Sequence, residues 1–152
     1  ISGGEQERGL RGGTLNVPAI VGFSYALERA QAEREAFVTR SAFLRERFEQ
    51  TVLRALGSAV QIDGENRAPN ISHITFSRGE SLLHRLDLAG VAASGGAACS
   101  AQAALPSHVM RAMGRSEEQA RSGIRFSFGK HTTEEEVDFA AQQVIACAGV
   151  RS

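Results

Sequence analysis

Three side chains in this sequence have the type and the setting to do chemistry: the thiol of Cys99, the guanidinium of Arg125 and the hydroxyl of Thr14. Cys99 lies in V-A-A-S-G-G-A-A-C-S (91–100), where its neighbours, from Ser94 to Ala98 and on through Ser100 and Ala101, are all small. Small side chains give a segment little to anchor it, and paired glycines widen its backbone freedom. A thiol in that setting is reachable, and the start of a helical stretch would bias it towards thiolate. The alternative is a packed cysteine, because free cysteines rank among the most often buried residues. Arg125 sits in I-R-F-S-F (124–128), where alternation turns Ile124, Phe126 and Phe128 one way and Arg125 and Ser127 the other. The three large apolar groups claim the core side, so a rigid strand presents Arg125 on the opposite face. An arginine held there can clamp a carboxylate with two parallel N–H···O bonds. A surface ion pair of small worth is the competing role. Thr14 closes Gly12-Gly13-Thr14, whose backbone N–H groups and hydroxyl are the ingredients of a phosphate nest, or simply of a turn.

The elements that must position these groups follow from periodicity and punctuation. Residues 1–16 are rich in glycine and polar groups and read as a loop. Asn16 and Pro18 then mark a helix start. From there to Leu56 the only glycine is Gly22, and Ile20, Phe23, Leu27, Phe37, Leu44, Phe48, Val52 and Leu56 fall at helical spacing. This predicts one long bent helix, or two in sequence, with Gly57 as the residue just past its end. Strands are expected at 60–62 and 71–76, with His73 a half-buried strand histidine. A helix follows over 80–88, closed by Gly90, and then a further short strand at 91–93. A helical turn or two is expected at 107–113, and Ser116 to Gln119 has capping-box spacing. Thr132-Thr133 followed by Glu134–Glu136 opens a last helix running to about Ala148, with Cys147 as packing near its end. The fold class is therefore α+β: three or four short strands covered by helices on one side, with a long N-terminal helix able to link to another lobe.

Composition narrows the function. Seventeen basic and seventeen acidic residues cancel, so no bulk charge favours nucleic acid or an anionic membrane. No apolar run approaches membrane-spanning length, and no signal peptide opens the chain. Two cysteines far apart do not make a disulfide framework, which favours a reducing, cytoplasmic compartment. The four histidines and two cysteines are too scattered to suggest zinc. A first residue of Ile1 points to a piece of something longer, or to a processed product.

Taken together, E-R-G-L-R-G-G-T-L-N (7–16), A-S-G-G-A-A-C-S-A (93–101), P-S-H-V-M-R-A-M-G (106–114) and I-R-F-S-F-G-K-H-T-T-E-E-E (124–136) resemble the C-terminal portion of cysteine desulfurases. These are pyridoxal-phosphate enzymes of the class-V aminotransferase fold, and the resemblance is to the branch serving iron–sulfur cluster assembly and nitrogenase. It implies that Cys99 is the nucleophile that carries sulfur as a persulfide. It implies that Arg125 binds the α-carboxylate of L-cysteine, and that Thr14 touches the cofactor phosphate across a homodimer. L-alanine would be the product, and a scaffold or carrier protein the sulfur acceptor. Residues 1–16 would be a loop left over from the cofactor-binding lobe, and 17–152 the small domain with its linking helix. There are departures: Gly95 and Ala97 replace serines of the usual loop, and Lys130 and His131 replace an arginine and an aromatic. The family's lysine, which holds the cofactor as a Schiff base, lies upstream. Lys130, in the turn after the Arg125 strand, does not replace it, so the segment alone should be inactive. Selenocysteine cleavage and aminotransfer remain rivals within the fold, although aminotransfer needs no such thiol. A non-catalytic partner-binding module is the rival from outside it.

Overall fold

A single proline near the start and one internal glycine allow an uninterrupted helix, and the computed structural model forms one: α1 spans Val17–Leu56. Asn16 caps it, its side-chain oxygen accepting from the Ala19 N–H at 3.2 Å. Gly57, at φ 54°, ends it in the left-handed conformation that glycine adopts without strain. The structure describes residues 2–77, 79, 81–95 and 106–149. By contacts the chain divides into two units, Ile1–Ala36 and Phe37–Ser152.

The first unit holds a short 3-10 turn, Gln6–Gly9, and the N-terminal part of α1. The apolar stripe expected here is present in the helix but lies exposed: Ile20, Phe23 and Leu27 face solvent, as do Val17, Val21 and Tyr25.

In the second unit the same helix changes character. Leu44, Phe48 and Val52 are buried. They pack on a three-stranded antiparallel sheet, ordered β1 (Val60–Ile62), β2 (Ile71–Phe76), β3 (Gly123–Ser127). Register pairs Ile74 with Ile62 and Ile124, and Ser72 with Phe126. Side-chain alternation sends Ile74, Phe76, Ile124 and Phe126 to the core face. There Phe48 meets Phe126 and Phe128 at centroid separations of 4.8 and 5.6 Å. Burying a side chain of that size contributes about 2–3 kcal/mol, so β3 is firmly seated. Ser72 shares this face; its buried hydroxyl has no hydrogen-bond partner among the described residues.

Helices α2 (Leu82–Leu88) and α5 (Glu134–Gly149) complete the core layer through Leu82, Leu86, Val137, Ala141 and Val144. Both capping motifs are present. Ser116 and Gln119 exchange bonds at the start of α4 (Glu117–Arg121), and Thr133 and Glu136 do the same at the start of α5. The short α3 covers His108–Ala112.

The expected strand at 91–93 does not form. The Val91 N–H is spent closing α2 on the Leu86 carbonyl at 2.8 Å, so pairing begins only at Ser94, as an isolated bridge to Arg125. Of the helix expected from residue 80, the described part begins at Leu82.

Candidate functional site: an exposed strand arginine beside a buried acid–imidazole network

Arg125 stands at the middle of β3, on the face turned away from the core, and its side chain is exposed. Its backbone is fixed on both sides. Across β2 its partner is His73. On the other edge its N–H donates to the Ser94 carbonyl at 2.7 Å, and its carbonyl accepts from the Ser94 N–H at 3.1 Å. Among the described residues no carboxylate forms an ion pair with Arg125. A guanidinium held on a rigid strand can meet a planar carboxylate with two parallel bonds.

Ser94 opens the glycine- and alanine-rich segment that holds Cys99. Cys99 itself lies outside the described residues, as do its neighbours 96–105. The tie between Ser94 and Arg125 nevertheless places the start of that segment on the strand carrying the guanidinium.

Thr14 belongs to the other unit and is exposed. The expectation of free backbone donors beside it is corrected in part: the Gly13 N–H donates to Gln6 Oε1 at 3.2 Å. Arg11 spans the same turn, donating to the carbonyls of Gly13 and Thr14 at 3.1 and 3.4 Å. The Thr14 hydroxyl makes no hydrogen bond among the described residues, so its donor chemistry fits a phosphate contact. Lys130, the chain's only lysine, is exposed in the turn after β3.

Sequence reasoning missed a polar network on the Arg125 face. The Asp63 side chain is fully buried. It accepts from His73 Nδ1 at 2.8 Å, Thr75 Oγ1 at 2.7 Å and Arg115 Nε at 2.8 Å. Arg115 also donates to Gln61 at 2.9 Å. Alternation along β2 already put His73 and Thr75 on one face. The D-G turn after β1, however, gave no sign that its aspartate points inward. Burial pushes the Asp63 pKa up, but hydrogen bonds from His73 and Thr75 and the charge of Arg115 outweigh it, so the carboxyl sits below its ordinary range. The folded-state value being the lower one, Asp63 contributes stability that is complete above the unfolded carboxylate range. That contribution is lost as pH falls through the folded value. Asp63→Asn should therefore cost about 2–3 kcal/mol at neutral pH, roughly 5–10 °C in melting temperature. Thermal unfolding of both forms over a pH series checks this, and the gap between them should close in acid.

Among the described residues no group of histidine, cysteine, aspartate and glutamate could hold a metal ion. No helix among them is long and apolar enough to cross a membrane.

Comparison with known proteins gives the site a context. The model of the class-V aminotransferase family matches residues 2–139. A cysteine desulfurase from Gluconacetobacter diazotrophicus is 45% identical over 141 residues, covering 91% of this chain and 35% of that protein. The cysteine desulfurase IscS of an Anaeromyxobacter species is 44% identical over 144 residues, covering 92% of this chain and 35% of the relative. The solved structure of a NifS-like protein from Rickettsia africae superposes with a TM-score of 0.82 at 28% identity, over 99% of this chain and 39% of its own. The chain thus spans about a third of the length of the curated relatives it matches.

Proposed function

The chain belongs to the class-V aminotransferase family, and on that premise we propose that it is the C-terminal part of a cysteine desulfurase. The observation that carries this reading is Arg125: a strand-mounted guanidinium with no carboxylate partner among the described residues, tied through Ser94 to the start of the cysteine segment. Arg125 binds the α-carboxylate of L-cysteine and fixes where the substrate's sulfur lies. Cys99 is the nucleophile that attacks that sulfur. Its thiolate forms an S–S bond as the substrate's C–S bond breaks; the electron pair of that bond stays with the carbon, which takes up a proton, ultimately from solvent, to become the methyl of alanine. Pyridoxal phosphate, when bound, supplies the electron sink that labilises the substrate's α-carbon. Of the residues in this chain, Thr14 would touch the phosphate of the cofactor in the neighbouring subunit of a homodimer. The lysine that attaches the cofactor would lie in a part of the protein outside this chain. The Cys99 persulfide then passes to a scaffold or carrier protein serving iron–sulfur cluster assembly.

The exposed stripe on α1 supports an incomplete enzyme over a self-sufficient binding module. Val17, Ile20, Val21, Phe23, Tyr25 and Leu27 together present an apolar face that calls for a cover. In the complete enzyme the missing lobe would cover it, and residues 1–16 would belong to that lobe. A cytoplasmic homodimer is part of the same proposal.

Intact mass of the complete polypeptide, loaded with pyridoxal phosphate and incubated with L-cysteine, tests the reading. A sulfur adduct that reductant removes and that maps to Cys99 is the expected result. Bound cofactor with no adduct would discard the nucleophile, and with it desulfuration in favour of another reaction of the family.

A further inference from the structure

The desulfurase mechanism leaves one polar side chain beside Arg125 without a role. His73 is the direct cross-strand partner of Arg125 and shares its face of the sheet. Its Nδ1 lies 2.8 Å from Asp63 Oδ2. Asp63 is ionised and can only accept, so Nδ1 carries the proton of that bond. The Cε1–Nε2 edge lies over Gly123, where an added Cβ would come within 2.4 Å of Cε1 and 3.0 Å of Nε2. Gly123 and Arg125 are alternate residues of β3 and so face the same way. The imidazole thus takes the space that a side chain at position 123 would fill, on the face of the sheet that carries Arg125.

We propose that His73 is a positioning residue that sets the specificity of Arg125: pinned by Asp63, its Cε1–Nε2 edge fences the guanidinium so that it holds the carboxylate of a compact amino acid in one orientation. The proposal rests on the reading of Arg125 as the carboxylate clamp. An arginine side chain gives up rotamer freedom when it binds. A fixed wall removes part of that loss beforehand, which is the advantage of preorganisation. The wall depends on two features: the Asp63 bond that aims the ring, and the absence of a side chain at Gly123.

The test uses the complete enzyme loaded with pyridoxal phosphate and two substitutions. His73→Asn keeps a donor for Asp63 but lacks the Cε1–Nε2 edge. Gly123→Ala keeps the histidine and displaces that edge. Each should raise the KM for L-cysteine about tenfold with kcat held within about twofold, the pattern of lost ground-state positioning. The dissociation constant of the product L-alanine, measured by calorimetry, should rise by the same factor. The melting temperature of His73→Asn should stay close to that of the parent, because the bond to Asp63 is retained. Parental KM and alanine affinity in both variants would overturn the proposal. So would losses that follow melting temperature, which would mark a structural role alone. An unsubstituted enzyme that neither turns over L-cysteine nor binds L-alanine would instead overturn the desulfurase reading, and the proposal with it.

Discussion

Cys99→Ser in the complete enzyme should lower the rate of sulfur release from L-cysteine by about a thousandfold or more, while pyridoxal phosphate stays bound. A thiol of ordinary pKa, about 8.5, already supplies a few per cent of thiolate near neutrality, and a helix start or a basic neighbour raises that share. A serine hydroxyl ionises far less readily and cannot hold the transferred sulfur as a persulfide. The residues beside Cys99 in the sequence are all small, as the proposed transfer from substrate to acceptor would require. Sulfide release under reducing conditions, with cofactor content read from absorbance, is the measurement. Undiminished release in the serine variant would rule out the nucleophile assignment.

Arg125→Ala should raise the KM for L-cysteine about a hundredfold and change kcat much less. On the proposed reading, the group removed would bind the same carboxylate in the ground state and the transition state. Arg125→Lys should fall between, since an ammonium carries the charge without the planar fork. Neither change should unfold the protein. The bonds from residue 125 to Ser94 are made by its backbone, and the apolar neighbours Ile124 and Phe126 hold the strand against the core. Steady-state kinetics beside thermal melting decides it, and an unchanged KM would count against the clamp.

His73 shows where the two levels of information part. Alternation within β2 separates His73 and Thr75 from Ile74 and Phe76, and that separation needs nothing beyond the strand itself. Which residue of β3 lies opposite His73 depends on register between segments some fifty positions apart, set by the packing of the whole sheet rather than by either strand. The same holds for Asp63. Its turn is legible, but its burial requires Arg115 to arrive from the connection between α3 and α4.

Legible in the sequence were the α+β class, most of the elements, the caps of α4 and α5, the glycine that ends α1 and the face on which β3 presents Arg125. Each of these is an interaction between residues within about a turn or along one strand, so near neighbours suffice to specify it. Tertiary structure alone decided that Val91 closes α2 instead of pairing, and that Ser94 is the residue tied to Arg125. It also decided that the stripe from Val17 to Leu27 lies exposed while the same helix is buried from Leu44 to Val52. Periodicity states which side of an element is apolar; what meets that side is settled only where distant segments compete for the same surface.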